Sequence, residues 1–124
     1  MRILLVESDM ILLEQYSRKL ARHHELTDVQ TAQEAIDRLD SGISFDLIVM
    51  DFSLGSNNGV EMLHEIRSYD DWSRVPVIFL STVPRNRLPL DRLEVYGVEE
   101  VLYKPQLSPA ELLEHVQRVA KSTA

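Results

Sequence analysis

Cysteine is absent from this 124-residue chain, which excludes disulfides, zinc–thiolate sites and thiol nucleophiles together. That absence fits a reducing compartment. Long apolar runs are missing as well. No stretch approaches the ~20 residues of a membrane span, and the opening MRILLV is too short for a secretion signal. A soluble, cytoplasmic protein is the expectation. Basic residues are in deficit, 13 Lys and Arg against 20 Asp and Glu, for a net charge of −7. This argues against nucleic-acid binding by this chain alone, because a phosphate backbone demands a basic face, and against an anionic membrane. No low-complexity tract, linker or repeat is visible. The length suits one domain over residues 1–124, able to bury roughly two thirds of its unfolded surface without a staple.

What is present alternates. Short apolar, β-branched runs at Ile3–Val6, Leu47–Met50, Val75–Leu80 and Val101–Tyr103 are too brief for helices. The first three lack polar alternation, as strands covered on both faces do. Leu26–Val29 alternates more and suits an edge. Helical patterns fill the gaps. Asp9 caps a helix whose stripe is Ile11, Leu12, Tyr16 and Leu20. Thr31 or Ala32 opens a second helix through Leu39, and Asn58 precedes a third with Val60, Met62, Leu63 and Ile66 inward. A short fourth runs from Pro89 to before Gly97. Ser108 and Glu111 make a capping box for a fifth, with Leu112, Leu113, Val116 and Val119 as its stripe. Five βα units imply an α/β fold with a parallel sheet, right-handed crossovers and helices on both faces.

In such sheets ligands sit outside the carboxyl ends of the strands. Those ends carry Glu7-Ser8-Asp9, Asp51, Ser81-Thr82 and Lys104-Pro105. Each is weak alone: Asp51 reads as a turn or cap, Glu7 and Asp9 as an acidic first helical turn, and Lys104 as a solvated charge. Together they place acids, a hydroxyl and an amine on one edge. Clustered carboxylates repel unless a cation or proton intervenes, and oxygen donors of this kind suit Mg²⁺. A carboxylate beside Mg²⁺, a lysine and a hydroxyl is suited to accept a phosphoryl group. The histidines His23, His24, His64 and His115 share no strand-end site with these acids and suit surface roles.

The segments ILLVESD, DLIVMDFSLGSNNG, VPVIFLST and VLYKP resemble the four signature segments of the two-component response-regulator receiver family, over essentially the whole chain. The resemblance implies a flavodoxin-like (βα)5 three-layer sandwich with strand order 2-1-3-4-5. It implies that Asp51 accepts phosphate from a histidine kinase or phosphotransfer protein, with Ser81 as the switch hydroxyl and Lys104 pairing with the phosphate. Glu7, Asp51 and the Ser53 backbone carbonyl would hold Mg²⁺. Gly59 would open the third helix, and the Lys104–Pro105 bond would be cis. Such a chain is no turnover enzyme; self-phosphorylation and self-dephosphorylation are the most it would do. The output partner has no signature here, and the fourth-helix face is a candidate surface for a homodimer.

The chain departs from the family pattern at defined places. Ser8 stands where the family has a metal-binding aspartate, and Asp9 is one residue too late to replace it. Gly55 replaces a common loop proline, and Val101 the switch aromatic, with Tyr103 two residues on along the same strand face. Pro84, Pro89, Arg85 and Arg87 make the loop after the fourth strand unusual. Ser8 and Val101 keep open an alternative, a pseudo-receiver acting as a phosphorylation-independent interaction module. A flavin carrier or small-molecule enzyme on the same architecture is a further alternative, though Glu7-Ser8-Asp9 would repel a flavin phosphate. The phosphoacceptor reading requires Asp51 to lie beside Lys104 and to be open to solvent.

Overall fold

A computed structural model of the chain describes residues 1–54 and 57–123; Gly55 lies outside the described residues. Five parallel strands form one sheet: β1 (Arg2–Val6), β2 (Glu25–Val29), β3 (Leu47–Asp51), β4 (Val77–Ser81) and β5 (Val98–Tyr103). Their spatial order is 2-1-3-4-5, the flavodoxin-like arrangement. The helices are α1 (Met10–Leu20), α2 (Ala32–Asp40), α3 (Gly59–Arg67), α4 (Leu90–Val95) and α5 (Pro109–Thr123). No helix among the described residues is long and apolar enough to cross a membrane.

The pleat sorts the strand residues into two layers. Ile3, Leu5, Leu47, Val49, Ile78, Leu80 and Leu102 pack with Tyr16 and Leu20 of α1 and with Leu112, Leu113, Val116 and Val119 of α5. Leu4, Val6, Ile48, Met50, Val77, Phe79 and Val101 face the other way, onto Ile36 and Leu39 of α2, Met62, Leu63 and Ile66 of α3, and Leu93 of α4. β1, β3 and β4 are covered on both faces; β2, at the edge, is buried only at Val29. Burying each large aliphatic side chain stabilises the fold by about 1.5–3 kcal/mol before entropy is counted.

Sequence and structure differ in detail. β4 begins at Val77, not Val75, because Pro76 has no N–H to donate and contributes only its carbonyl, which accepts from Ile48 N at 3.0 Å. β5 starts three residues earlier than Val101; a register shift between Val77 and Ile78 lets Val98 pair before Glu100 does. Two glutamates in that stretch hide the strand from a hydrophobic reading. Ile11 is 70% exposed and does not belong to the inner stripe of α1, which Tyr16, Leu20 and the half-buried Leu12 and Leu13 supply. The Lys104–Pro105 bond is trans, contrary to the expectation of a cis bond. The trans form lets Lys104–Gln106 close a 3₁₀ turn in which Leu107 N donates to Lys104 O at 3.0 Å.

The predicted caps are in place. Asp9 accepts from Ile11 N and Leu12 N, Thr31 from Glu34 N, and Asn58 from Glu61 N. Ser108 and Glu111 satisfy each other's backbone N–H at 3.1 and 3.2 Å. One contact was not foreseen. Arg67, at the end of α3, donates to the carbonyls of Tyr96 (2.7 Å), Trp72 (2.9 Å) and Val75 (2.7 Å), fastening α4 and the approach to β4 onto α3.

Gly59 sits where α3 starts against the end of β3. A Cβ there would lie 2.9 Å from the Phe79 ring, 3.1 Å from Phe52 Cα and 3.2 Å from Asp51 O. Two of these neighbours are backbone and cannot swing away. Gly59→Ala is therefore expected to destabilise the protein by about 1–3 kcal/mol, read as a lower urea midpoint; an unchanged midpoint would contradict this packing.

Candidate functional site

Alternation along the strands carries the two-layer pattern into the loops. Ile3 and Leu5 lie in the α1/α5 layer, so Glu7 follows them there; Asp51 follows Leu47 and Val49, and Lys104 follows Leu102. Three side chains at the ends of β1, β3 and β5 therefore meet on one face, across the end of β4. Lys104 Nζ lies 2.9 Å from Glu7 Oε1, donates to Glu7 Oε2 at 3.1 Å and to Asp51 Oδ2 at 3.1 Å. Asp9 N donates to Glu7 Oε2 at 3.0 Å. The Asp9 carboxylate caps α1 and is not part of the cluster.

Ser8 is a working member of the group. Its hydroxyl donates to Asp51 Oδ2 at 2.8 Å and approaches Ser53 O at 3.5 Å. Asp51 Oδ2 thus receives both Ser8 and Lys104, whereas among the described residues Oδ1 has only a long contact from Ser53 N at 3.4 Å. The requirement that Asp51 lie beside Lys104 is met. Openness to solvent is not met in this state: Asp51 is buried, 2% exposed, and Glu7 is 0% exposed, with Lys104 and Ser8 lying over the Asp51 carboxylate. The Ser8 side chain that caps Asp51 is itself on the exposed surface.

Ser81 occupies the same edge but a different layer, following Val77 and Phe79. Its hydroxyl donates to Val83 O and accepts from Val83 N, both at 2.9 Å, and makes no bond to Asp51. Val101 is buried in the core beneath α4, and Tyr103 pairs with Ser81 across the sheet. The histidines lie elsewhere: His64 bonds to Tyr96, His115 to Glu100, and His24 to the N-terminal amine. A concavity of about 640 Å³, lined by Leu39, Phe45, Tyr69 and Trp72 among others, includes none of the clustered residues.

Burial pushes Glu7 up to about 6, and the neighbouring Asp51 adds to the rise against the opposing hydrogen bonds from Asp9 N and Lys104. Burial alone would lower Lys104; hydrogen bonding to Glu7 and the charges of Asp51 and Glu7 outweigh it and raise its pKa. As a donor set for a metal, the group offers two carboxylates, a hydroxyl and the Ser53 carbonyl, all of them oxygen. That fits a hard cation such as Mg²⁺ held through one or two carboxylates and waters. Among the described residues no cluster of three His, Cys, Asp or Glu side chains stands ready for a metal; Ser8 contributes a hydroxyl rather than a third carboxylate.

Comparison with known proteins agrees with this picture. A family model described as "Response regulator receiver domain" matches residues 3–117. Protein RcaC of Microchaete diplosiphon is 26% identical over 121 residues, 98% of this chain and 18% of that protein. Response regulator ArlR of Staphylococcus aureus is 29% identical over 122 residues, covering 97% of this chain and 52% of that protein. This chain thus spans about half or less of their length. Among solved structures, the phosphorylated cyanobacterial phytochrome response regulator RcpA superposes with a TM-score of 0.79 at 27% identity, covering 99% of this chain and 95% of that one.

The Glu7 shift has a testable sign. Between the ordinary 4.5 and about 6 the folded protein retains a proton that the unfolded chain has released. This group therefore makes stability fall as pH rises through that window, by about 2 kcal/mol in all, with no further change above it. In metal-free buffer, the unfolding free energy of wild type from urea titration should fall between pH 4.5 and 6.5 by about 1.5 kcal/mol more than that of Glu7→Gln; parallel profiles would refute the assignment.

Proposed function

The chain belongs to the response-regulator receiver family, and on that footing we propose that it is a phosphoacceptor of two-component signalling, taking a phosphoryl group on Asp51 from a histidine kinase or phosphotransfer protein. The observation that carries this reading is the Asp51 carboxylate held at the end of β3 by Lys104 at 3.1 Å. The same pairing weighs against a phosphorylation-independent module.

Asp51 Oδ1, the less engaged oxygen, is the nucleophile: a P–O bond forms as the P–N bond of the phosphohistidine breaks, and the imidazole, already protonated on its other ring nitrogen, takes the electron pair and departs neutral. Lys104 and the Ser8 hydroxyl, both on Oδ2, swing aside to admit the phosphoryl group. Lys104 then pairs with its oxygens, and Ser81 gives up Val83 to reach it. Glu7, Asp51 and the Ser53 carbonyl would hold Mg²⁺, which when bound neutralises charge on the transferring group. Displacement of Ser81 from Val83 passes directly into the Arg85–Arg87 turn and α4, biasing the surface presented to an output partner. Val95, 85% exposed on α4, supports that face as the docking or dimer surface.

Acetyl phosphate with Mg²⁺ should add one phosphoryl group to the intact mass, and Asp51→Asn should abolish the adduct. No adduct at millimolar Mg²⁺ would remove the reading. A carboxylate ~4 Å from a divalent ion is worth several kcal/mol at an effective dielectric of ~20 before desolvation. Ser8→Asp is therefore expected to tighten Mg²⁺ binding at least about tenfold by calorimetry; equal or weaker affinity would show that Ser8 does not limit the site.

A further inference from the structure

Tyr16 is the one polar tip in the inner stripe of α1. Its side chain is fully buried in the α1/α5 layer, and its hydroxyl has no hydrogen-bond partner among the described residues. Buried hydroxyls are almost always paired, with protein or with bound water. Glu7 Oε1 shares this condition: it lies 2.9 Å from the Lys104 ammonium as an ion pair but is not aligned to accept a hydrogen bond. The third such atom, His24 Nε2, lies beyond the other end of α1, where the His24 ring meets the N-terminal amine.

Two independent arguments bring Tyr16 and Glu7 together. Helical side chains lean toward the helix N-terminus, which for α1 is the end at Asp9, next to the end of β1. Glu7 continues the β1 positions Ile3 and Leu5, which pack in the same layer as Tyr16. Electrostatics agree: after burial, Glu7 is the charge that acts most strongly on the phenol, ahead of Lys104, Asp51 and Asp9.

We propose that one buried water joins the two orphaned oxygens, accepting from the Tyr16 hydroxyl and donating to Glu7 Oε1, so that Tyr16 is a positioning residue for the Glu7 carboxylate. With Oε2 taken by Asp9 N and Lys104, this link fixes the remaining Glu7 oxygen and thereby the direction in which the carboxylate faces the pocket. Its effect on cation binding rests on the phosphoacceptor reading; the link itself does not.

The test is a double-mutant cycle on the full chain with Tyr16→Phe, Glu7→Gln and the pair. If the hydroxyl is linked to Glu7, Tyr16→Phe raises the unfolding equilibrium constant about tenfold, and the double variant falls short of the product of the singles by at least about threefold. If the hydroxyl is a true orphan, Tyr16→Phe is as stable as wild type or more so and the effects multiply, which overturns the proposal. A purely packing role would leave cation affinity alone, whereas here Tyr16→Phe weakens Mg²⁺ binding about tenfold, the lower range for groups that orient a metal ligand. Should Tyr16→Phe fail to fold, NMR of the wild type decides: a slowly exchanging Tyr16 hydroxyl proton with a cross-peak to bound water is expected, and its absence overturns the link. Wild type that neither binds Mg²⁺ nor gains phosphate would sink the phosphoacceptor reading instead, leaving the unfolding cycle and the hydroxyl resonance to judge Tyr16.

Discussion

One ammonium group holds two enclosed carboxylates together. Glu7 and Asp51 would repel each other and suffer desolvation at the end of the sheet, and Lys104 answers both charges at 2.9–3.1 Å. Buried ion pairs seldom add net stability over a well-packed apolar alternative, yet removing one partner typically costs about 3–5 kcal/mol. Their value here is positional. Asp51 ends β3, and Glu7 and Lys104 immediately follow β1 and β5; the parallel sheet of order 2-1-3-4-5 brings those strand ends to one edge.

Ser8 changes the character of that edge. With a hydroxyl at this position, the pocket carries two acids against one lysine, which pairs with both. The same hydroxyl donates to Asp51 and helps to cover it. Ser81, meanwhile, is closed on the backbone of Val83. Under the proposed phosphoacceptor function, such a site would have to open before reaction, with Lys104 and Ser8 moving off Asp51 and Ser81 leaving Val83.

Much of this was legible in the chain. Apolar runs without alternation marked the doubly covered strands, and the capping residues Asp9, Thr31, Asn58 and Ser108 stand where short polar side chains precede helical stripes. The strand-end rule gathered Glu7, Asp51 and Lys104 before any contact was known. What escaped has physical reasons. Ile11 is apolar yet exposed because periodicity spans a wider arc than the packed face. The start of β5 was masked by Glu99 and Glu100. Arg67 binds carbonyls alone, a pairing without a complementary charge in the sequence to announce it. That Ser81 belongs to the opposite layer from Asp51 follows from counting alternate residues along β4, a signal available in the sequence.

Residue-resolved NMR during titration with beryllofluoride and Mg²⁺ tests the cluster most directly, since Trp72, the single tryptophan, lines the concavity remote from it. The account predicts saturable shifts at Glu7, Ser8, Asp51, Ser81, Val83 and Lys104 that follow one common binding curve. Shifts that leave Asp51 and Lys104 untouched, or that follow separate curves for the two, would contradict it.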